Sequence, residues 1–243
     1  MSSDPAKPLA IVTGVGPGTG SAIVREFINQ GYVVAMLARN AERLFELSQE
    51  LDDALAYPCD VTDTTSLQST LNAIMTSSGT PEVVVHNAVG GSFGDFMEIE
   101  PEVLDRNFQV NTMALLHLAR SVAPAMIERA AADKNYAGAL IATGNTSAYR
   151  GKAGFAGFAP TKAAQRILLE SMARRLGPDG IHVAYVAIDA VIDLPWTRKR
   201  WSDAPDDFFC QPADIAGEVF RIAKQPKSAW SFNIEIRPHC ETW

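Results

Sequence analysis

Seven short runs, all but the last almost wholly apolar, alternate along the chain with longer stretches that have the period of a helix. The runs are Leu9 to Thr13, Val33 to Ala38, Leu55 to Cys59, Val83 to Asn87, Ala139 to Thr143, Ile181 to Ile188 and Asn233 to Ile236. The helical stretches are Ser21 to Gln30, Ala41 to Leu51, Thr65 to Ser77, Pro101 to Arg129, Ala156 to Leu176 and Ala213 to Lys224. A strand with no polar face needs cover on both sides, and helices between successive strands supply it. The pattern predicts an α/β fold, a doubly wound seven-stranded parallel sheet flanked by helices on both faces. With 243 residues and no break in composition, residues 1–243 read as a single domain.

Local chemistry marks several boundaries. Gly31 stops the first helix, Thr62 and Asp63 are positioned to cap the third, and Gly177-Pro178 ends the long helix before the sixth strand. The one long irregular stretch is Asp189 to Gln211. Connections of that length are usually functional or disordered, and Trp196, Trp201, Phe208 and Phe209 argue against disorder. In this architecture the loops after the strand C-termini carry the chemistry.

The loop after the first strand is the most specific of them. Thr13 to Gly20 reads TGVGPGTG, directly between an apolar run and a helix start. Glycines allow φ > 0 and close backbone approach, and a helix N-terminus presents unsatisfied N–H groups that favour an anion. A strand before, a helix after and a place near the N-terminus together point to the pyrophosphate of a dinucleotide.

Composition narrows the field. There are 28 acidic against 21 basic residues, a net charge of −7, and no basic run longer than Arg198 to Arg200, which argues against nucleic acid and anionic membrane as partners. Cys59, Cys210 and Cys240 are odd in number and widely spaced, so they read as reduced thiols of a cytoplasmic protein with no metal site. MSSDPAKP at the N-terminus is polar and proline-broken, unlike a signal peptide, and no apolar run reaches the length of a membrane span.

The spacing T-G-x-x-x-G-x-G, carried by Thr13, Gly14, Gly18 and Gly20 with Thr19 between the last two, resembles the short-chain dehydrogenase/reductase family. Further matches follow in order: Asp60-Val61 is similar to that family's adenine contact, His86-Asn87-Ala88 to its N-N-A-G segment, Asn111 to its helix asparagine and Lys162 to its catalytic lysine. The resemblance covers residues 8 to 194. It implies a nicotinamide dinucleotide bound by Gly14, Gly18, Thr19, Gly20, Asp60, Val61, Asn87, Ala88 and Lys162, and assembly as a homodimer or homotetramer through the two long helices. At the end of the second strand, Ala38-Arg39 replaces the carboxylate that suits NAD; a guanidinium there suits a 2′-phosphate, so NADP is expected over NAD, with Arg39 as its contact. The alternative is a solvated Arg39.

The resemblance breaks at the chemistry. Catalysis in that family uses a tyrosine and a serine at the positions held here by Phe158 and Asn145. Phenylalanine has no proton to give, and general acid–base catalysis is worth about 10²–10⁴-fold. Asn145 keeps a hydrogen-bond donor for a carbonyl oxygen. Asn111, Asn145, Phe158 and Lys162 are therefore the expected catalytic positions. Tyr149, Ser147, His86, Asp189 and Asp193 are candidate replacement acids, and Asp189 and Asp193 also stand where the nicotinamide carboxamide or a simple turn would engage them. Residues 189–211 would cover a small-molecule substrate or form an oligomer contact. Three readings stay open: an NADP(H)-dependent carbonyl/alcohol oxidoreductase with a non-standard proton donor, a catalytically silent NADP(H)-binding sensor or partner subunit, and non-redox chemistry.

Overall fold

In the computed structural model, which describes residues 7–241, the chain opens on β1 (Leu9–Thr13), whose five side chains are all buried. Residues 1–6 of the polar N-terminus lie outside the described residues. The elements that follow are α1 (Thr19–Asn29), β2 (Val33–Ala38), α2 (Ala41–Glu50), β3 (Ala54–Pro58), α3 (Thr64–Ser78) and β4 (Val83–His86). After them come α4 (Pro101–Phe108), a π-helical turn (Gln109–Met113), α5 (Ala114–Ala132), β5 (Ala139–Gly144), α6 (Ala159–Leu176) and β6 (His182–Ile188). The C-terminal part holds β7 (Val191–Ile192), α7 (Pro195–Arg200), β8 (Phe209–Cys210), α8 (Pro212–Ala223) and β9 (Asn233–Ile236).

The main sheet has seven strands in the order β3-β2-β1-β4-β5-β6-β9, and every pairing is parallel. Alternation along β1 divides the core: Leu9 and Ile11 face a cluster with Leu71 of α3, Leu118 of α5 and Leu169 of α6, whereas Ala10 and Val12 face Phe27 of α1, Leu44 of α2 and Val219 of α8. Burying each such leucine or phenylalanine contributes roughly 1.5–3 kcal/mol, which is why a strand without a polar face is stable only between two helical layers. The winding starts at β1, runs outward to β3 and returns to β4 on the other side of β1, so the strand order reverses between β1 and β4. Crevices at the carboxyl ends of strands open at such a reversal.

Boundaries follow local causes. Gly31 has φ 86° just after α1. Asp63 alone caps α3, accepting from Ser66 N at 2.9 Å, while Thr62 turns back to Asp60. α6 begins three residues later than its helical period predicts, because Ala156 N–H is donated to Gly94 O at 3.1 Å and Gly94 N–H to Gly154 O at 2.8 Å. The stretch predicted as one helix from Pro101 is interrupted by the π turn and runs on to Ala132. Asp189 to Gln211 is not irregular: β7 pairs with β8, and α7 lies between them.

Candidate functional site

At the reversal point the backbone packs too closely for side chains. Gly14 has φ 73°, and a Cβ on it would lie 2.4 Å from Ala88 N; one on Gly20 would lie 2.4 Å from Gly14 O. Asn87 locks this contact, its Nδ2 donating to Gly14 O at 2.9 Å and its Oδ1 accepting from Thr143 Oγ1 at 2.9 Å. Asn87 is thus a strut joining β1, β4 and β5. Above it lies a cleft of about 840 Å³, toward the upper end of small-molecule sites. Thr19, in the first turn of α1, lines the cleft with its Oγ1 buried and unpartnered.

One half of the cleft is walled by Arg39, Arg43, Asp60 and Val61, from the segments that follow β2 and β3, and Arg106 of α4 also lines the cleft. Asp60 Oδ1 accepts from Thr62 N at 2.9 Å and Thr62 Oγ1 at 2.8 Å, which fixes the turn after β3. The other half is walled by Thr143, Gly144, Asn145, Phe158 and Lys162, with Leu194 and Trp196 reaching in from the segment around α7. Leu194 packs onto the glycine turn, where a Cβ on Gly18 would meet its Cδ2 at 2.5 Å.

Lys162 is the most unusual side chain in the site. It is 2% exposed, and its Nζ donates to Gln165 Oε1 at 3.0 Å and stands 3.5 Å from Thr143 O. Burial without a carboxylate partner pulls its pKa down to about 7. Its charge lies 5.7 Å from the centroid of the Phe158 ring. Gln165, fully buried, donates from Nε2 to Asn111 O at 2.8 Å. Gln165 is not among the residues expected from the sequence, although an amide three residues after a lysine shares its helix face. Neither is Arg43, which follows Arg39 into the cleft.

Two expected site residues lie elsewhere. Asn111 is fully buried in the π turn, with Oδ1 accepting from Gly90 N at 3.0 Å and Nδ2 donating to Gly90 O at 2.9 Å and Thr161 Oγ1 at 2.8 Å. Its side chain does not line the cleft and meets Lys162 only through the Gln165 bridge from its carbonyl. Asp189 is also off the cleft wall: it accepts from Thr146 Oγ1 at 2.5 Å and pairs with Arg150 at 3.1 Å, because its side chain points away from the sheet end that Ile188 and Ala190 line. Asn145 does line the cleft, but one N–H goes to Ile188 O at 2.8 Å and Oδ1 accepts from Ser147 N and Oγ, leaving a single N–H for anything else.

The remaining candidate acids are engaged. His86 is buried between Thr13 Oγ1 at 3.0 Å and Val110 O at 3.2 Å, and burial lowers its pKa to about 3, so it is neutral. Tyr149 donates to Asn233 Oδ1 at 2.6 Å outside the cleft. Arg198 hydrogen-bonds Asp193 and holds its carboxyl down at about 2. Ser147 Oγ is spent on Asn145.

A parallel sheet wound in both directions from β1, with a glycine turn and a cleft at its reversal point, defines the Rossmann-like class of α/β proteins. Within that class the chain belongs to the short-chain dehydrogenase family, whose model matches residues 8–203. D-erythrulose reductase of Gallus gallus is 30% identical over 194 residues, spanning 80% of this chain and 75% of that protein. 7alpha-hydroxysteroid dehydrogenase of Escherichia coli K12 is 27% identical and covers 91% of this chain and 88% of its own. A metagenomic short-chain oxidoreductase crystallised in complex with NADP superposes with a TM-score of 0.80 at 26% identity, over 95% of this chain and 97% of that one.

Proposed function

We propose that this chain is an NADP(H)-dependent oxidoreductase that interconverts a carbonyl and an alcohol on a small molecule, without the tyrosine and serine its family uses. The observation that carries the reading is the pairing of a complete dinucleotide cradle with a buried, cleft-facing lysine. The cradle fits the cofactor on its own features: Thr19 Oγ1 lacks a partner, Gly14 and Gly20 leave no room for a Cβ, and Arg39 and Arg43 stand at the end where a 2′-phosphate would lie. The NADP of the metagenomic relative supports the same choice.

When bound, the nicotinamide supplies or takes up the hydride. The protein's part is then to bind, orient and move a proton. Gly14 to Gly20 and the N-terminus of α1 would hold the pyrophosphate, Arg39 the 2′-phosphate, Val61 and Ala88 the adenine side of the cleft, and Lys162 a ribose hydroxyl. The free N–H of Asn145 would polarise the substrate oxygen. Residues 189–211, through Leu194 and the exposed Trp196, would cover an apolar substrate.

Phe158 favours a second reading, a silent NADP(H)-binding subunit, and one experiment separates the two. NADPH carrying deuterium at C4 is incubated with a panel of small ketones and aldehydes, using the native chain and Phe158→Tyr. The oxidoreductase reading expects deuterated alcohol from the native chain; deuterated product from Phe158→Tyr alone would establish the silent scaffold instead.

A further inference from the structure

We propose that Lys162 is itself the group that exchanges a proton with the substrate oxygen, and that Gln165 is the positioning residue that aims it. The proposal rests on the oxidoreductase reading above. Among the described residues, the wall built by Thr143, Gly144, Asn145, Phe158, Ile188 and Ala190 holds one titratable side chain, Lys162. The other ionisable groups on the cleft are Arg39, Arg43, Cys59 and Asp60, which belong to the segments that follow β2 and β3, and Arg106 of α4, a guanidinium and so no proton donor. Phe158 brings no hydroxyl, and His86, Tyr149, Asp189 and Asp193 are each withdrawn from the cleft or held in the wrong protonation state by the contacts given above.

The geometry around Nζ suits a donor. An ammonium has three N–H groups. One is committed to Gln165 Oε1, and the contact to Thr143 O is at the outer limit of a hydrogen bond, so two are available toward the cleft and the Phe158 ring. That is enough for a ribose hydroxyl and a substrate oxygen together. The groups facing Lys162 are uncharged: Thr143 from β5, Phe158 at the cap just before α6, Gln165 from its own helix, and the Asn111 carbonyl behind Gln165. From β4, His86 bears on it electrostatically but is neutral above about pH 3. With burial bringing it to about 7, Lys162 populates both protonation states near neutrality, the condition under which a group both gives and regains a proton.

Gln165 fixes this arrangement from behind. Its amide accepts from Nζ and donates to Asn111 O, and an amide does not ionise, so it orients Lys162 without relaying a proton. Proton exchange is thereby directed through the cleft. In the reducing direction the carbonyl carbon takes a hydride from the reduced nicotinamide dinucleotide, and the C=O π pair becomes a lone pair on oxygen. That oxygen then forms an O–H bond as a Lys162 N–H bond breaks. Lys162 is left as a neutral amine and regains its proton from cleft water; the oxidation runs the same steps backward.

The test has two arms. In the first, the full chain is pulsed with acetic anhydride across pH 5–10, and acetylation of Lys162 is read by peptide mass spectrometry. A midpoint near 7 is expected, against about 10.4 for an ordinary lysine. NADP should slow the labelling at least about ten-fold by covering the amine, and Gln165→Leu should lower the midpoint by removing the acceptor of the charged form. A midpoint above about 9 overturns the proposal, and one unmoved in Gln165→Leu removes Gln165 from it.

In the second arm, reduction of the carbonyl panel by NADPH is followed for the native chain, Lys162→Met and Lys162→Arg. Both variants should lose about 10²–10⁴-fold in kcat. Arginine keeps the charge but cannot release a proton, so Lys162→Arg should still bind NADPH. Native kcat should fall as pH rises through about 7, and Gln165→Leu should shift that fall to lower pH. Undiminished kcat in Lys162→Met overturns the proton donor while leaving the oxidoreductase reading intact. No turnover by the native chain with any carbonyl overturns that reading, and the proposal with it.

Discussion

Arg39 and Arg43 put two guanidinium groups on the cleft wall just after β2, where the lining residues Ala38 to Asn40 offer no carboxylate. Charge-assisted hydrogen bonds are worth about 1.5–3 kcal/mol, so a phosphate held there gains roughly ten- to hundred-fold in affinity. Arg39→Asp should cost that factor in NADPH affinity and leave NADH affinity equal or improved, because the carboxylate repels a 2′-phosphate and accepts from ribose hydroxyls. Titration calorimetry with both nucleotides checks it, and an unchanged NADPH affinity would return Arg39 to the solvent. The placement of Gly14, Gly20, Arg39 and Lys162 on the cleft was legible because it follows from short spacings on one strand, turn or helix. Asp189 was not: the group that claims it, Arg150, is 39 residues away, and its side-chain direction depends on how β6 ends. Gln165 was legible in principle, three residues from Lys162, but its other partner, the Asn111 carbonyl, is visible only once α6 lies against the π turn.

At the scale of elements, the π turn between α4 and α5 is the joint that holds the site together. One extra residue in the turn brings the Asn111 side chain toward the segment after β4 and toward α6, where it satisfies Gly90 N, Gly90 O and Thr161 Oγ1, all buried or part-buried. Asn111→Ala strips three partners at once. It should destabilise the fold by about 2–4 kcal/mol, read from urea unfolding, and loosen the Gln165 bridge that aims Lys162. Asn111→Asp keeps the acceptor for Gly90 N and should recover part of the loss. Six of the seven strands of the main sheet could be read almost to the residue from sequence, since a nearly apolar run fits a sheet covered on both faces; the edge strand β9, Asn-Ile-Glu-Ile, alternates instead. The π turn could not, because Pro101 to Arg129 has a helical period throughout and the extra residue shows itself only through a long-range partner. The segment 189–211 failed for a related reason: β7 and β8 are two residues each, too short to carry a period, and exist because they pair with one another.

The whole molecule carries a pH dependence that follows from its buried bases. Lys162, His86 and His182 are each 3% exposed or less, and burial lowers the pKa of all three, His182 while it bonds Ser231 O at 2.8 Å and stacks on Trp230 at 5.0 Å. Unfolding returns each to its ordinary value, so between the folded and unfolded pKa the unfolded chain binds more protons and stability rises with pH. For His86 that window runs from about 3 up to about 6.5, and for Lys162 from about 7 up to about 10.5. The full contribution of each is present above its unfolded pKa and is lost as pH falls through its folded one. Within a window each group adds about 1 kcal/mol per pH unit. Most folded proteins gain little stability above neutral pH, so the Lys162 window is the diagnostic one. Urea unfolding at pH 7, 8 and 9 should show stability climbing by about 1 kcal/mol per unit. Lys162→Met, which replaces the charge with a side chain of similar length that accepts burial, should raise stability at pH 7 and abolish the climb. A native chain whose stability is flat from pH 7 to 9 would mean that Lys162 keeps its proton in the folded state, and that the cleft solvates it far better than the packing around Gln165 and Phe158 implies.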